Sequence, residues 1–115
     1  MGFVYKVVSQ AEWTQAERDG VFRGAEIDHR DGYIHLSSAE HLEKTVALYF
    51  AERDDLVLVA LEADRLGAAL KWEPSRGGAL FPHLYATLPL DFVAWSKPFS
   101  SGDAGALRAL IADDA

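Results

Sequence analysis

The sequence predicts an α+β fold, a single domain over residues 1–115 in which a mixed, bent sheet carries two to three helices. Three observations lead there. The chain has 115 residues and half of them are hydrophobic, which is the usual size of one domain and enough to bury a core without covalent staples. Runs of β-branched and aromatic residues are interspersed with helix starts marked by serine and glutamate at capping-box spacing. The resulting order, β-α-β-α-β-β-β-α, lacks the regular alternation of a doubly wound parallel fold. The core is expected over about 3–99, followed by a C-terminal helix over about 103–112.

Each element has its own signal. Residues 3–8, Phe-Val-Tyr-Lys-Val-Val, read as a strand. Ser9-Gln10-Ala11-Glu12 fits a capping box, so a helix is expected over about 10–19 with Trp13 and Ala16 on its buried face and Gly20 as its left-handed stop. Residues 23–32 are polar without apolar periodicity and read as a loop. Residues 33–37 alternate as a strand, with Ile34 and Leu36 turned to the core and Tyr33, His35 and Ser37 sharing the other face. A second capping box, Ser37-Ser38-Ala39-Glu40, predicts a helix whose stripe is Ala39, Leu42, Val46, Tyr49 and Phe50.

The run Leu56-Val57-Leu58-Val59-Ala60-Leu61 is apolar on both faces, as a central covered strand requires, although periodicity alone also admits a buried helix. A short turn at residues 64–67, a brief strand at 70–73, the loop 74–79 and a last strand at 92–97 follow. Ala104, Leu107, Leu110 and Ile111 predict the C-terminal helix, with Asp113 and Asp114 opposing its dipole.

Composition bounds the chemistry. There is no cysteine, which removes disulfides, thiolate metal sites and cysteine nucleophiles. No segment approaches the ~20 apolar residues that span a bilayer and the N-terminus lacks a signal-peptide layout, so a cytoplasmic protein is expected. The net charge of −7 argues against general binding of nucleic acid or anionic membrane, while leaving room for a small phosphorylated ligand. The oligomeric state is not legible.

Two histidine segments are the candidate site: Tyr33-Ile34-His35-Leu36-Ser37 and Phe81-Pro82-His83-Leu84-Tyr85. His35 on a strand beside Tyr33 and Ser37 would be preorganised, though a solvated sheet face accommodates the same residues. His83 follows Pro82, so its imidazole is expected on a stiff turn. Gly77 and Gly78 would let main-chain N–H groups approach a ligand, and Arg76 could pair with phosphate or carboxylate; taken alone, the stretch is better read as a flexible surface loop. Neither HxH nor HExxH spacing occurs, so no metal is expected, and His29 and His41 read as loop and helix-surface residues. A triad through Ser37 or Ser38 lacks nucleophile-elbow glycines. Lys6, a charge within an apolar strand, would snorkel from a sheet edge.

Taken together, Tyr5-Lys6-Val7, Glu12-Trp13, Asp31-Gly32-Tyr33-Ile34-His35-Leu36-Ser37 and Gly78-Ala79-Leu80-Phe81-Pro82-His83-Leu84-Tyr85 resemble the bacterial domain-of-unknown-function family nine-five-two, from about residue 4 to residue 99. That family looks like a compact relative of the ADP-ribosyltransferase fold, nearest to the RNA 2′-phosphotransferases that consume NAD. Trp13 and Ile34-His35 match the arrangement, whereas the first strand departs from it, with Lys6 at or near the position of the histidine those enzymes carry and no glycine-threonine following. The resemblance implies an NAD pocket in which His35 grips the nicotinamide ribose. His35 and His83 are then the catalytic candidates, and Lys6, Tyr33, Ser37, Arg76 and Tyr85 the cofactor-binding ones. ADP-ribosyl or phosphate transfer is the implied chemistry, and a non-catalytic module for a metabolite or protein segment is the alternative. Both readings require the two imidazoles to converge.

Overall fold

A computed structural model describes residues 2–112, with the side chains of Arg76 and Ala104 outside the described set. The elements are β1 (Phe3–Ser9), α1 (Gln10–Asp19), β2 (Val21–Phe22), α2 (Glu26–Asp31), β3 (Ile34–His35), β4 (Ser37–Ser38), α3 (Ala39–Tyr49), β5 (Leu56–Glu62), β6 (Leu70–Pro74), β7 (Leu80–Leu84), β8 (Leu88–Pro89), β9 (Val93–Phe99) and α4 (Ala104–Ile111). Short 3₁₀ segments at Ala63–Ala69, Arg76–Gly78 and Leu90–Phe92 make the connections. Asp113 and Asp114, expected to fray the last helix, lie outside the described residues.

The fold is α+β, but the expected mixed sheet is replaced by antiparallel ladders: a four-stranded sheet in the order β4-β1-β5-β9, a three-stranded one in the order β3-β7-β6, and the pair β2-β8. β5 is the central covered strand. Its Val57, Val59 and Leu61 join the core with Trp13, Ala16, Ile34, Leu36 and Leu84, while Leu56, Leu58 and Ala60 pack with Leu42, Val46 and Leu107 from α3 and α4. With apolar layers on both faces, neither side of this strand can carry charge.

Local signals hold in part. At α1 the Ser9 hydroxyl accepts from the Glu12 N–H at 3.1 Å and the Glu12 carboxylate accepts from the Ser9 N–H at 2.8 Å, and Gly20 sits at φ 75°. The second box does not close: Ser38 rather than Ser37 is the N-cap of α3 and makes no side-chain cap bond, while Ser37 is drawn into β4 beside β1 with its hydroxyl on Thr45. Along α3 only Leu42 and Val46 of the expected stripe are buried, with Ala39 and Tyr49 exposed and Phe50 half-buried.

Three further expectations are corrected. Residues 23–32 contain the helix α2 rather than only loop, and its sole buried residue is Asp28. Lys6 is not at a sheet edge, since β1 lies between β4 and β5; its side chain is 6% exposed and ion-paired. His83 stands on β7, a strand between β3 and β6, rather than on a turn. There the Pro82 carbonyl accepts from the Leu36 N–H at 3.1 Å, so the missing N–H of the proline does not break the ladder's other contacts.

Candidate functional site

Strand alternation and a change of partner build the site. Ile34 and His35 pair with Leu84 and His83 of β7, whereas Ser37 and Ser38 pair with Tyr5 and Val4 of β1. The chain thus crosses from one sheet to the other at Leu36, which is buried. A cavity of about 520 Å³ opens at this seam, lined by Lys6, Tyr33, His35, Ser37, Phe81 and His83 among others. That volume suits a small-molecule ligand.

His35 and His83 are cross-strand partners with ring centroids 5.8 Å apart. The Tyr33 ring lies against both, 4.6 Å from His35 and stacked on His83 at 4.0 Å. Tyr85 is 5.3 Å from Tyr33. It is 44% exposed and stands beside the cavity lining rather than within it. Ser37 does line the cavity, but it is buried and its hydroxyl donates to Thr45 Oγ1 at 3.2 Å; it does not share a solvated face with His35, because β4 has turned onto β1. His29 lies on α2, exposed, and His41 packs against Phe81 at 4.8 Å. The side chain of Arg76 lies outside the described residues.

Each imidazole is held by carboxylates that sequence reasoning did not single out. Asp28 Oδ1 accepts from His35 Nδ1 at 2.6 Å, from the His35 backbone N–H at 3.0 Å and from Lys6 Nζ at 3.0 Å. Its Oδ2 accepts from the Ala25 N–H at 2.8 Å and lies 2.9 Å from Lys6 Nζ. On the outer side, His35 Nε2 is 2.9 Å from Asp31 Oδ2, and Asp31 is also bonded by Arg30 at 3.2 Å. With both carboxylates ionised, the two ring bonds are satisfied together only by a doubly protonated ring. His83 Nδ1 donates to Glu73 Oε1 at 2.7 Å, and the Tyr85 hydroxyl donates to the same oxygen at 2.7 Å.

These contacts set the electrostatics. Burial would raise the Asp28 carboxyl, but the His35 hydrogen bond, the Lys6 ammonium and the backbone donors outweigh it and hold the group down to about 2. Burial pushes Lys6 below the ordinary lysine range against the pull of Asp28. The Tyr85 and His83 bonds lower Glu73, and the same Glu73 bond pushes Tyr85 up to about 12. Tyr33 is raised by partial burial and by Asp31.

The structure therefore brings Tyr33, His35 and His83 together, sets Tyr85 beside them, buries Ser37 in the wall, and commits Lys6 to Asp28. Among the described residues no group of three His, Asp or Glu has a geometry that could hold a metal ion, and no helix is long and apolar enough to cross a membrane.

Comparison with known proteins places this arrangement in context. A family model described as "Protein of unknown function (DUF952)" matches residues 7–96. The chain is similar to the crystal structure of protein CC0527 from Caulobacter crescentus, with 47% identity, 84% of each chain covered and a TM-score of 0.82. The solution structure of CC0527 matches at 47% identity and a TM-score of 0.78, covering 85% of this chain and 84% of that one. No curated protein matches.

Proposed function

This chain belongs to the DUF952 family, and on the geometry of its paired histidines we propose that it is a nucleotide-binding domain whose cavity takes NAD, with ADP-ribosyl or phosphate transfer as its chemistry. One observation carries the reading: His35 and His83 face each other across β3 and β7 with their rings 5.8 Å apart, and both line one cavity of about 520 Å³.

The character of the wall supports a cationic planar ring rather than a phosphate beside the histidines. Asp31 and Tyr33 line the cavity with negative charge and aromatic surface, and Glu73 and Tyr85 stand beside them, a combination that favours a pyridinium. Phosphates need a cation elsewhere, and Arg30 lines the same cavity. The phosphate contact expected of Lys6 is not part of this proposal, because its ammonium is neutralised by Asp28.

NAD supplies a ribose carbon whose bond to the pyridinium nitrogen breaks with its electron pair passing to nicotinamide, while the acceptor oxygen bonds that carbon and gives up its proton. His35 would grip the ribose, and the carboxylates around it would favour positive charge developing there. His83, with Nδ1 given to Glu73, would offer Nε2 to the acceptor's proton. Release of free nicotinamide from NAD tests this reading. Turnover abolished by His35→Ala and by His83→Ala supports transfer chemistry, whereas an inert wild-type protein opposes it.

A specific observation favours a second reading, a non-catalytic module on the same fold. The first strand presents Lys6 locked in an internal ion pair, so β1 contributes structure rather than a ligand-reaching group. Binding of NAD without turnover would select that reading.

A further inference from the structure

Lys6 and Asp28 are buried charges that the proposed chemistry does not use. Their side chains are 6% and 1% exposed, in a layer otherwise filled by Val4, Val8, Trp13 and Ile34. An ion pair in such a place recovers little net stability over apolar residues of the same shape. Its geometry, however, has an outlet: the oxygen of Asp28 that meets Lys6 Nζ at 3.0 Å also meets His35 Nδ1 at 2.6 Å and the His35 N–H at 3.0 Å.

We propose that Asp28 is the positioning residue of the site and Lys6 its counter-ion, the two together fixing His35 with a proton on Nδ1 and with Nε2 turned outward to Asp31, which lines the cavity. The inference rests on the reading of His35 as a ligand-facing group. Three features support it. The backbone and the ring of His35 are held by the same carboxylate oxygen, so the strand and the imidazole cannot turn independently. Asp28 is itself fixed at its other oxygen by the Ala25 N–H at 2.8 Å, at the start of α2, so the helix locks the carboxylate in place. Lys6 projects from β1, which is paired along its length with β5, so the relay is anchored in the four-stranded sheet. A carboxylate behind an imidazole keeps a proton on the nitrogen that faces it and holds the ring's orientation.

The test is the ring ¹⁵N–¹H spectrum of His35 in the ligand-free wild-type protein and in Lys6→Met/Asp28→Leu, with NAD as the binding probe. The expected wild-type result is a slowly exchanging Nδ1–H. In the double variant that protection is lost, and where the wild type binds NAD the affinity falls by about tenfold. A wild-type ring lacking a proton on Nδ1, or a folded double variant with an unchanged ring spectrum, would overturn the assignment. If the double variant does not fold, the wild-type spectrum alone decides. Because the ring spectrum is read without ligand, failure of NAD to bind leaves this result intact and counts only against the ligand.

Discussion

His35 and His83 lie directly opposite one another in the β3–β7 ladder, and Tyr33 fills the angle between their rings, 4.6 Å from one and 4.0 Å from the other. The two histidines stand 48 positions apart in the sequence, yet both are carried on strands rather than loops. A site built this way keeps its geometry because each side chain is fixed by ladder bonds and by a carboxylate behind it.

The buried ion pair makes a stability prediction. Lys6→Met leaves the buried Asp28 charged with only the His35 ring and backbone donors to compensate it, and should cost about 3 kcal/mol of folding stability. Lys6→Met/Asp28→Asn removes both charges and should recover most of that loss. Chemical denaturation of the three proteins measures both; equal losses in single and double variants would contradict the pairing.

Acid stability follows from Asp28. Its carboxyl is held down to about 2 in the folded chain, against an ordinary value of 3.8. A lowered folded value means the stabilisation is complete above the unfolded value and is lost as pH falls from about 4 through about 2. The amount at stake is about 2 kcal/mol. Denaturation midpoints between pH 5 and pH 2 should fall more steeply for the wild type than for Lys6→Met/Asp28→Asn.

At the other end of the pH scale, the Tyr85 hydroxyl is pushed up to about 12 by its bond to Glu73. A raised folded value favours the protonated form, so this contribution is present below the unfolded value near 10 and is lost as pH rises through about 12. Glu73→Gln should return Tyr85 toward ordinary tyrosine behaviour, and ultraviolet titration with Tyr85→Phe as the reference would assign the signal. An unchanged titration in Glu73→Gln would contradict the bond.

Asp31 occupies the outer nitrogen of His35 at 2.9 Å while also engaging Arg30. Its carboxylate is the negative charge that the cavity wall offers to a pyridinium. Asp31→Ala should therefore weaken NAD binding several-fold, as read by calorimetry. Tighter binding would contradict a cationic ring beside Asp31.

Much of this was legible in the sequence wherever local physics decides the outcome. The Ser9–Glu12 capping box, the left-handed Gly20, the inward Ile34 and Leu36 and the doubly covered β5 all follow from spacing of two to four residues. The two histidine segments also stood out by residue type. Their supports did not. Asp28 sits in a polar stretch whose helix spans only Glu26–Asp31, too short to display an apolar period, and its burial is decided by Lys6 from another element. Glu73 reaches His83 through the β6–β7 pairing, a tertiary fact no local pattern encodes. Ser37 departed from its expected face because β4 exchanged partners one residue after β3, a sheet crossing that strict alternation does not foresee.

The most direct measurement is a titration of ¹⁵N-labelled protein with NAD, followed by amide and imidazole chemical shifts, with His35→Ala in parallel. The account predicts perturbations confined to residues around the seam, at Tyr33, His35, Ser37 and His83, that saturate in the wild type and weaken in the variant. Unmoved resonances at millimolar NAD, or identical shifts in wild type and His35→Ala, would contradict it.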